Sequence, residues 1–215
     1  MQQISAAQQN NQELLATLPL VDAHGMILAD ERGVSIALHA LYYGHRHLAK
    51  WIAEHCRAVD PYTAAALNIT DILQQHLERD PSLVHASAGD GFSLLGLACF
   101  FAAEDVVSLL LRYGADPSQP SQNAFAVAPI HSATAANSLF CVQQLIEAGA
   151  DVNATQQGGF RPIHAAAQHG NVAILTLLIA AGADTTAQND DQKTALDYAI
   201  SAHHSAAIEL LTSLP

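Results

Sequence analysis

The stretch Gly158-Gly159-Phe160-Arg161-Pro162-Ile163-His164-Ala165-Ala166-Ala167-Gln168-His169-Gly170, continued by the apolar run Val172 to Ala181 and closed by Gly182-Ala183-Asp184, decides the fold. Pro162 suits the first turn of a helix, where its missing N–H would have no partner anyway. Ile163, Ala166 and Ala167 give that short helix an apolar side, and it is expected to end near His169-Gly170. A second helix is predicted from about Val172 to Ala181, with Ile174, Leu175, Leu177 and Leu178 at helical spacing. Gly182 then supplies a left-handed cap that other residues resist. Two helices this short cannot bury their apolar faces alone, so they must stack on neighbours of the same kind.

Those neighbours are legible on both sides. Gly114-Ala115-Asp116, Gly149-Ala150-Asp151 and Gly182-Ala183-Asp184 recur at 149−114 = 35 and 182−149 = 33 residues. Ala128-Pro129-Ile130-His131-Ser132-Ala133 and Arg161-Pro162-Ile163-His164-Ala165-Ala166 stand 161−128 = 33 apart, and Thr194-Ala195-Leu196-Asp197-Tyr198-Ala199 follows after another 194−161 = 33. A common period with a common order of motifs marks an array of one supersecondary unit.

The motif order resembles the ankyrin repeat, whose pattern is Gly-x-Thr-Pro-Leu-His-x-Ala-Ala, a glycine turn, an apolar second helix and Gly-Ala-Asp. Gly158 to Ala187 matches best, with Arg161 in the threonine slot. Gly91 to Asp116 and Ala126 to Asn153 are looser copies, and Gln192 to Leu211 reads as a closing copy with polar residues on its outer helix. Gly33-Val34-Ser35-Ile36-Ala37-Leu38-His39-Ala40 with Gly44-His45, and Asp60-Pro61 with Ala64-Ala65-Ala66 and Ile72 to Leu83, are degenerate ones. The resemblance implies an all-α solenoid of about six repeats, at roughly 29–57, 58–88, 89–118, 124–155, 157–188 and 190–213. Residues 1–28 are expected to be a polar tail or a degenerate cap, with a helix around Glu13 to Leu18 and a Gln-rich, partly disordered start.

Composition narrows the partners. Eight Lys+Arg against twenty Asp+Glu give a net charge of −12, and beyond residue 112 the only Lys or Arg are Arg161 and Lys193. No basic face can be assembled to neutralise phosphates, which argues against nucleic acid and against an anionic membrane surface. No apolar run reaches the ~18 residues of a spanning helix. Met1-Gln2-Gln3-Ile4-Ser5 carries neither the charge nor the apolar stretch of a signal peptide. Cys56, Cys99 and Cys141 are odd in number and scattered, which suits apolar fillers in a reducing compartment. The expectation is a soluble, cytoplasmic monomer.

Twelve histidines raise the question of metal or catalysis. His131 and His164 occupy the slot in which the resemblance implies an imidazole bonded to the local turn backbone. His45-Arg46-His47 and His203-His204 lack a cysteine or carboxylate set at zinc spacing, so no metal and no cofactor is expected. His55 and Cys56 read as neighbours on a second helix, where adjacent side chains diverge by about 100° and cannot act as a pair. Phosphate-loop, dinucleotide, metalloprotease and nucleophile-elbow motifs do not occur.

The aromatics carry the binding expectation. Tyr42-Tyr43 and Phe100-Phe101 fall at the end of the first helix in two repeats, and Phe92 and Phe160 sit between the turn glycine and the Thr/Ser slot. Each taken singly could equally pack between turn and helix. Together they mark the concave face as a partner surface, since Tyr and Phe are favoured at interface centres. Turn residues Asp90, Gln157, Asp190 and Asp191 would add an acidic rim, and the insertion Asp116 to Val127 would form a finger carrying Phe125. The resemblance thus implies a non-catalytic adaptor or regulator that binds a protein of neutral or basic surface through its concave face and turn tips. Two other readings remain open: an ankyrin-type effector acting on host-cell proteins, and an enzyme with its site in the N-terminal segment.

Overall fold

In a computed structural model, residues 1–12, 20, 27–56 and 58–213 are described, and the helix expected at Glu13 to Leu18 lies outside them. The described residues form thirteen α-helices and no strand. Twelve of the helices make six consecutive pairs: Ile36–Tyr42 with Arg46–Glu54, Pro61–Leu67 with Thr70–Arg79, Leu94–Phe100 with Glu104–Arg112, Pro129–Ala135 with Leu139–Glu147, Pro162–His169 with Val172–Ala180, and Ala195–Ser201 with Ser205–Thr212. Each pair packs on the next in chain order, first helix against first helix. The chain is therefore an all-α solenoid.

Alanine makes that stacking close. Ala37, Ala40, Ala64, Ala65, Ala66, Ala98, Ala133, Ala166, Ala167, Ala195 and Ala199 are all fully buried on first helices. Second helices bring the larger volume, with Ile52, Leu73, Leu77, Leu110, Leu145, Ile174 and Leu178 in one continuous apolar core. Thr70–Arg79 ends earlier than the sequence suggests. Pro81 starts a 3-10 turn over Pro81–His85 that carries Leu83, and Asp80 caps it by accepting from the Ser82 N–H at 3.1 Å.

Side chains fix where first helices begin. Ser35 and Ser93 accept from the N–H groups of Leu38 and Gly96, and Asp60 accepts from that of Thr63 at 2.8 Å. Each cap satisfies a helix-start donor that would otherwise be orphaned. Between pairs the chain doubles back through tight turns. Asp30 N–H donates to Val34 O, Ala88 to Phe92, Gln156 to Phe160 and Asn189 to Lys193, always across four residues. Ser121 N–H donates to Val127 O across six, which places the two extra residues of the 35-residue step inside this one turn.

The N-terminal stretch differs from the expectation of a partly disordered tail. Gln2–Gln8 is helical, Ala6 and Ala7 are fully buried, and the helix seats against Ile36–Tyr42. Ile4, Ala6 and Ala7 give it an apolar side that the abundance of glutamine masks in composition. His55 and Cys56 likewise lie past the end of Arg46–Glu54 rather than on it, with His55 Nδ1 2.8 Å from Trp51 O.

Candidate functional site

His131 and His164 hold the framework of the site. Nδ1 of each accepts the N–H at the start of its own helix, from Ala128 at 3.2 Å and from Arg161 at 3.0 Å. A ring that accepts at Nδ1 carries its proton on Nε2. From there His131 donates to Ala154 O at 3.0 Å and His164 to Ala187 O at 3.0 Å, in each case in the turn that follows. Burial lowers the pKa of both imidazoles, although the backbone carbonyls pull the other way. These are neutral structural clamps between helix and turn. Asp197 fills the slot in the last pair, accepting from Thr194 N–H at 2.8 Å.

The turn tips are laddered together by backbone bonds. Gln122 N–H donates to Gly91 O, Gln157 to Phe125 O and Asp190 to Gly158 O, each at 2.8–2.9 Å. Asn123 adds a side-chain bond to Asp90 O at 2.9 Å. The tips and the first helices thereby enclose two adjoining hollows that share Phe92, Val127 and Gln156 as a common wall. The larger, about 500 Å³, runs past Tyr42, Phe125 and Gln157. The smaller, about 230 Å³, lies among Phe92, Phe100, Phe160, Ser132 and Arg161. A separate apolar hollow of about 380 Å³ sits between the second helix of the first pair and the second pair, lined by Ala53, Leu67 and Ile72.

The predicted aromatics divide between wall and core. Tyr42, Phe92, Phe100 and Phe101 are linked ring to ring, with centroids 5.0–6.4 Å apart, across the first and third pairs. Within that cluster Tyr42 and Phe101 pack against the core, whereas Phe92 and Phe100 face the hollows and Phe100 is 43% exposed. Phe160 stands across the smaller hollow, backed by Tyr198 at 5.4 Å and His164 at 5.7 Å. Tyr43, 58% exposed, lies beyond both groups.

The expected rim changes more. Asp90 is a structural acid: one oxygen receives the Tyr42 hydroxyl and the other the Phe92 N–H at 3.1 Å. Burial, and then that hydrogen bond and the negative charge of Asp90, push the Tyr42 hydroxyl pKa up. Gln157 is exposed on the wall of the larger hollow. Asp190 and Asp191 are exposed on the last turn, outside both hollows. Phe125 of the longer turn is 56% exposed and joins the wall.

Ser132, Arg161, Val127, Gln156 and Tyr198 escaped the sequence reading. Ser132 had a signal, being polar at the slot that Ala165 fills one repeat later. Arg161 is visible as the departure from threonine, but only the structure turns it toward a hollow. Its Nη1 lies 3.5 Å from Asp184 Oδ2. Among the described residues no three His, Cys, Asp or Glu side chains converge as a metal site, and no helix is long and apolar enough to cross a membrane.

Comparison with known proteins bears on most of this surface. A family described as "Ankyrin repeats (3 copies)" matches residues 62–156 and 130–214, more than two thirds of the chain. The first helix pair precedes the matched region. The Nuclear factor NF-kappa-B p105 subunit of Gallus gallus is 32% identical over 118 residues, covering 54% of this chain and 10% of that protein. The chain thus spans about a tenth of that relative's length.

Proposed function

The chain belongs to the ankyrin-repeat family, whose repeats generally mediate protein–protein interaction and are typically non-catalytic, and from that premise we propose that it is an adaptor or regulator binding one partner protein along its first helices and turn tips. The observation that carries this reading is the pair of adjoining hollows walled by Phe92, Phe100, Phe125 and Phe160. Monomeric proteins keep few exposed aromatics together without a use for them. Each of the six helix pairs is taken as one repeat, with Gln2–Gln8 capping the first. Net charge of −12 and the exposed Asp190 and Asp191 favour a partner of neutral or basic surface, not nucleic acid or membrane. A cytoplasmic monomer fits this role.

The test starts from a partner captured from lysate and identified by mass spectrometry. Phe100→Ala and Phe160→Ala are then measured for affinity beside melting temperature. Loss of roughly tenfold or more in affinity at little cost in melting temperature is the expected result. Asp190→Asn and Asp191→Asn should change association rate and salt dependence rather than dissociation. Affinity that is unchanged, or that falls only in step with unfolding, would remove the surface.

A further inference from the structure

The two turns that border the hollows, residues 117–127 and 152–160, hold no Asp, Glu, Lys, Arg or His. The charge on the remaining walls is already engaged. Arg32 Nη2 lies 3.1 Å from Asp30 Oδ2, Arg161 Nη1 lies 3.5 Å from Asp184 Oδ2, and Asp90 receives the Tyr42 hydroxyl and the Phe92 N–H. His131, on the smaller hollow, is bonded at both ring nitrogens. A chain of net charge −12 thus keeps the centre of this groove neutral. Two polar groups there stay open to a ligand. Gln157 is exposed and Gln156 half-buried, and among the described residues neither side-chain amide has a hydrogen-bond partner. Asn123, on the same wall, is by contrast engaged with Ser121, Asp90 and Phe125.

We propose that the two hollows together receive a neutral, proline-rich segment of the partner protein in the polyproline II conformation. Its apolar residues would seat on the aromatic rings either side of the wall formed by Phe92, Val127 and Gln156, and the amides of Gln156 and Gln157 would donate to its carbonyls. This proposal rests on the reading that the groove receives a partner protein.

The shape of the groove and its open donors select this occupant. A polyproline II helix repeats every three residues, about 9 Å, so residues three apart share one side and fall into successive pockets. The rings of Tyr42, Phe92 and Phe125 line the larger hollow and those of Phe92, Phe100 and Phe160 the smaller, which is the aromatic lining such segments favour. An α-helix bonds its own carbonyls internally and leaves the two amides nothing on the main chain to meet. A β-strand asks for an open backbone edge, but the N–H groups of Gln122 and Gln157 are engaged in the ladder of turn tips. Proline carries no N–H and its segment forms no internal hydrogen bonds, so its carbonyls need donors and little else. A basic segment would find no free carboxylate in the groove, and an acidic one only guanidinium groups that already face an acid.

The test uses the full chain, labelled with ¹⁵N, and three neutral peptides blocked at both ends: decaproline, a Gly/Ser decapeptide, and an alanine-rich helix with leucines on one face. At roughly millimolar concentration decaproline should shift the amides of Val127, Gln156, Gln157 and Phe160 saturably, and bind at least about tenfold tighter than the flexible Gly/Ser chain. Gln156→Ala and Gln157→Ala should each weaken it about two- to tenfold. Phe125→Ala, on an exposed ring, should weaken it roughly threefold or more at an unchanged melting temperature. A neutral occupant also predicts the same affinity at low and high salt. A helical or Gly/Ser peptide that binds as tightly as decaproline, groove amides that decaproline leaves unmoved, or two glutamine variants without effect would each overturn the proposal. A captured partner that loses affinity with Phe100→Ala and Phe160→Ala while decaproline leaves these amides unmoved removes the proline-rich segment and spares the groove. A partner indifferent to both variants removes both.

Discussion

Gly170→Ala separates two costs that usually arrive together. Gly170 closes Pro162–His169 in the left-handed region at φ 65°. The equivalent junction of the third pair is held by Ala102 at φ 51°, so alanine is sterically possible there. Its strain is about 1–2 kcal/mol, partly offset by about 0.4–1 kcal/mol because alanine restricts the unfolded chain. The added expense at Gly170 comes from the next repeat. A Cβ there would lie 2.4 Å from Cγ of His204, whose Nε2 stands 3.0 Å from Gln168 O. The imidazole must swing out, which forfeits a bond of about 0.5–1.5 kcal/mol and adds about 1 kcal/mol of repacking. Gly170→Ala should therefore destabilise by roughly 2–3 kcal/mol in the wild-type background and by about 1 kcal/mol in His204→Ala. Urea denaturation followed by far-UV circular dichroism measures all four members of the cycle. Equal penalties in the two backgrounds would show that His204 does not pack over this junction, and the docking of the sixth pair on the fifth would have to be redrawn.

The converse change, Ala102→Gly, sits on an exposed residue and should stabilise the chain by about 0.5–1 kcal/mol, read as a higher urea midpoint; a lower midpoint contradicts the left-handed junction. Phe101→Ala should lower stability by ~2–3 kcal/mol because it packs on the core, and the more exposed Phe100→Ala by ~1 kcal/mol; thermal melts that reverse this order would exchange their roles. Acidification should destabilise the protein through His131 and His164. Their folded pKa values are depressed by burial, so the unfolded chain takes up protons first, and their contribution is present above the unfolded pKa near 6.5 and lost as the pH falls below it. Urea midpoints measured at pH 7, 6 and 5 should decline in that order, and a flat or rising series would mean that these two imidazoles are not buried neutral.

What was legible in the sequence, and what was not, divides along the distance over which each feature is determined. Pro162, His164, Gly170 and Gly182 act on their own helix and turn, and the pairing of Pro162–His169 with Val172–Ala180 follows from them within a residue. The two-residue excess before Ala128 was countable, and it reappears as a turn closing over six residues instead of four. The roles of Asp90 and Tyr42 were not countable. They meet across 48 positions, through a second pair whose Pro61–Leu67 ends on Asn68 and has no matching aromatic. Periodicity assigns both residues a slot but cannot say that one slot's acid will satisfy another slot's phenol. Arg161 stands in the threonine slot of the repeat pattern, and only the structure shows that its longer side chain lines the smaller hollow with Nη1 3.5 Å from Asp184 Oδ2. In a repeat array the consensus positions build the stack, so what sets one array apart is to be sought where a repeat departs from them. Arg161 is such a departure on the wall of the smaller hollow, whereas Ala102 and His203, which replace glycine at helix junctions, hold left-handed backbone at φ 51° and 59°.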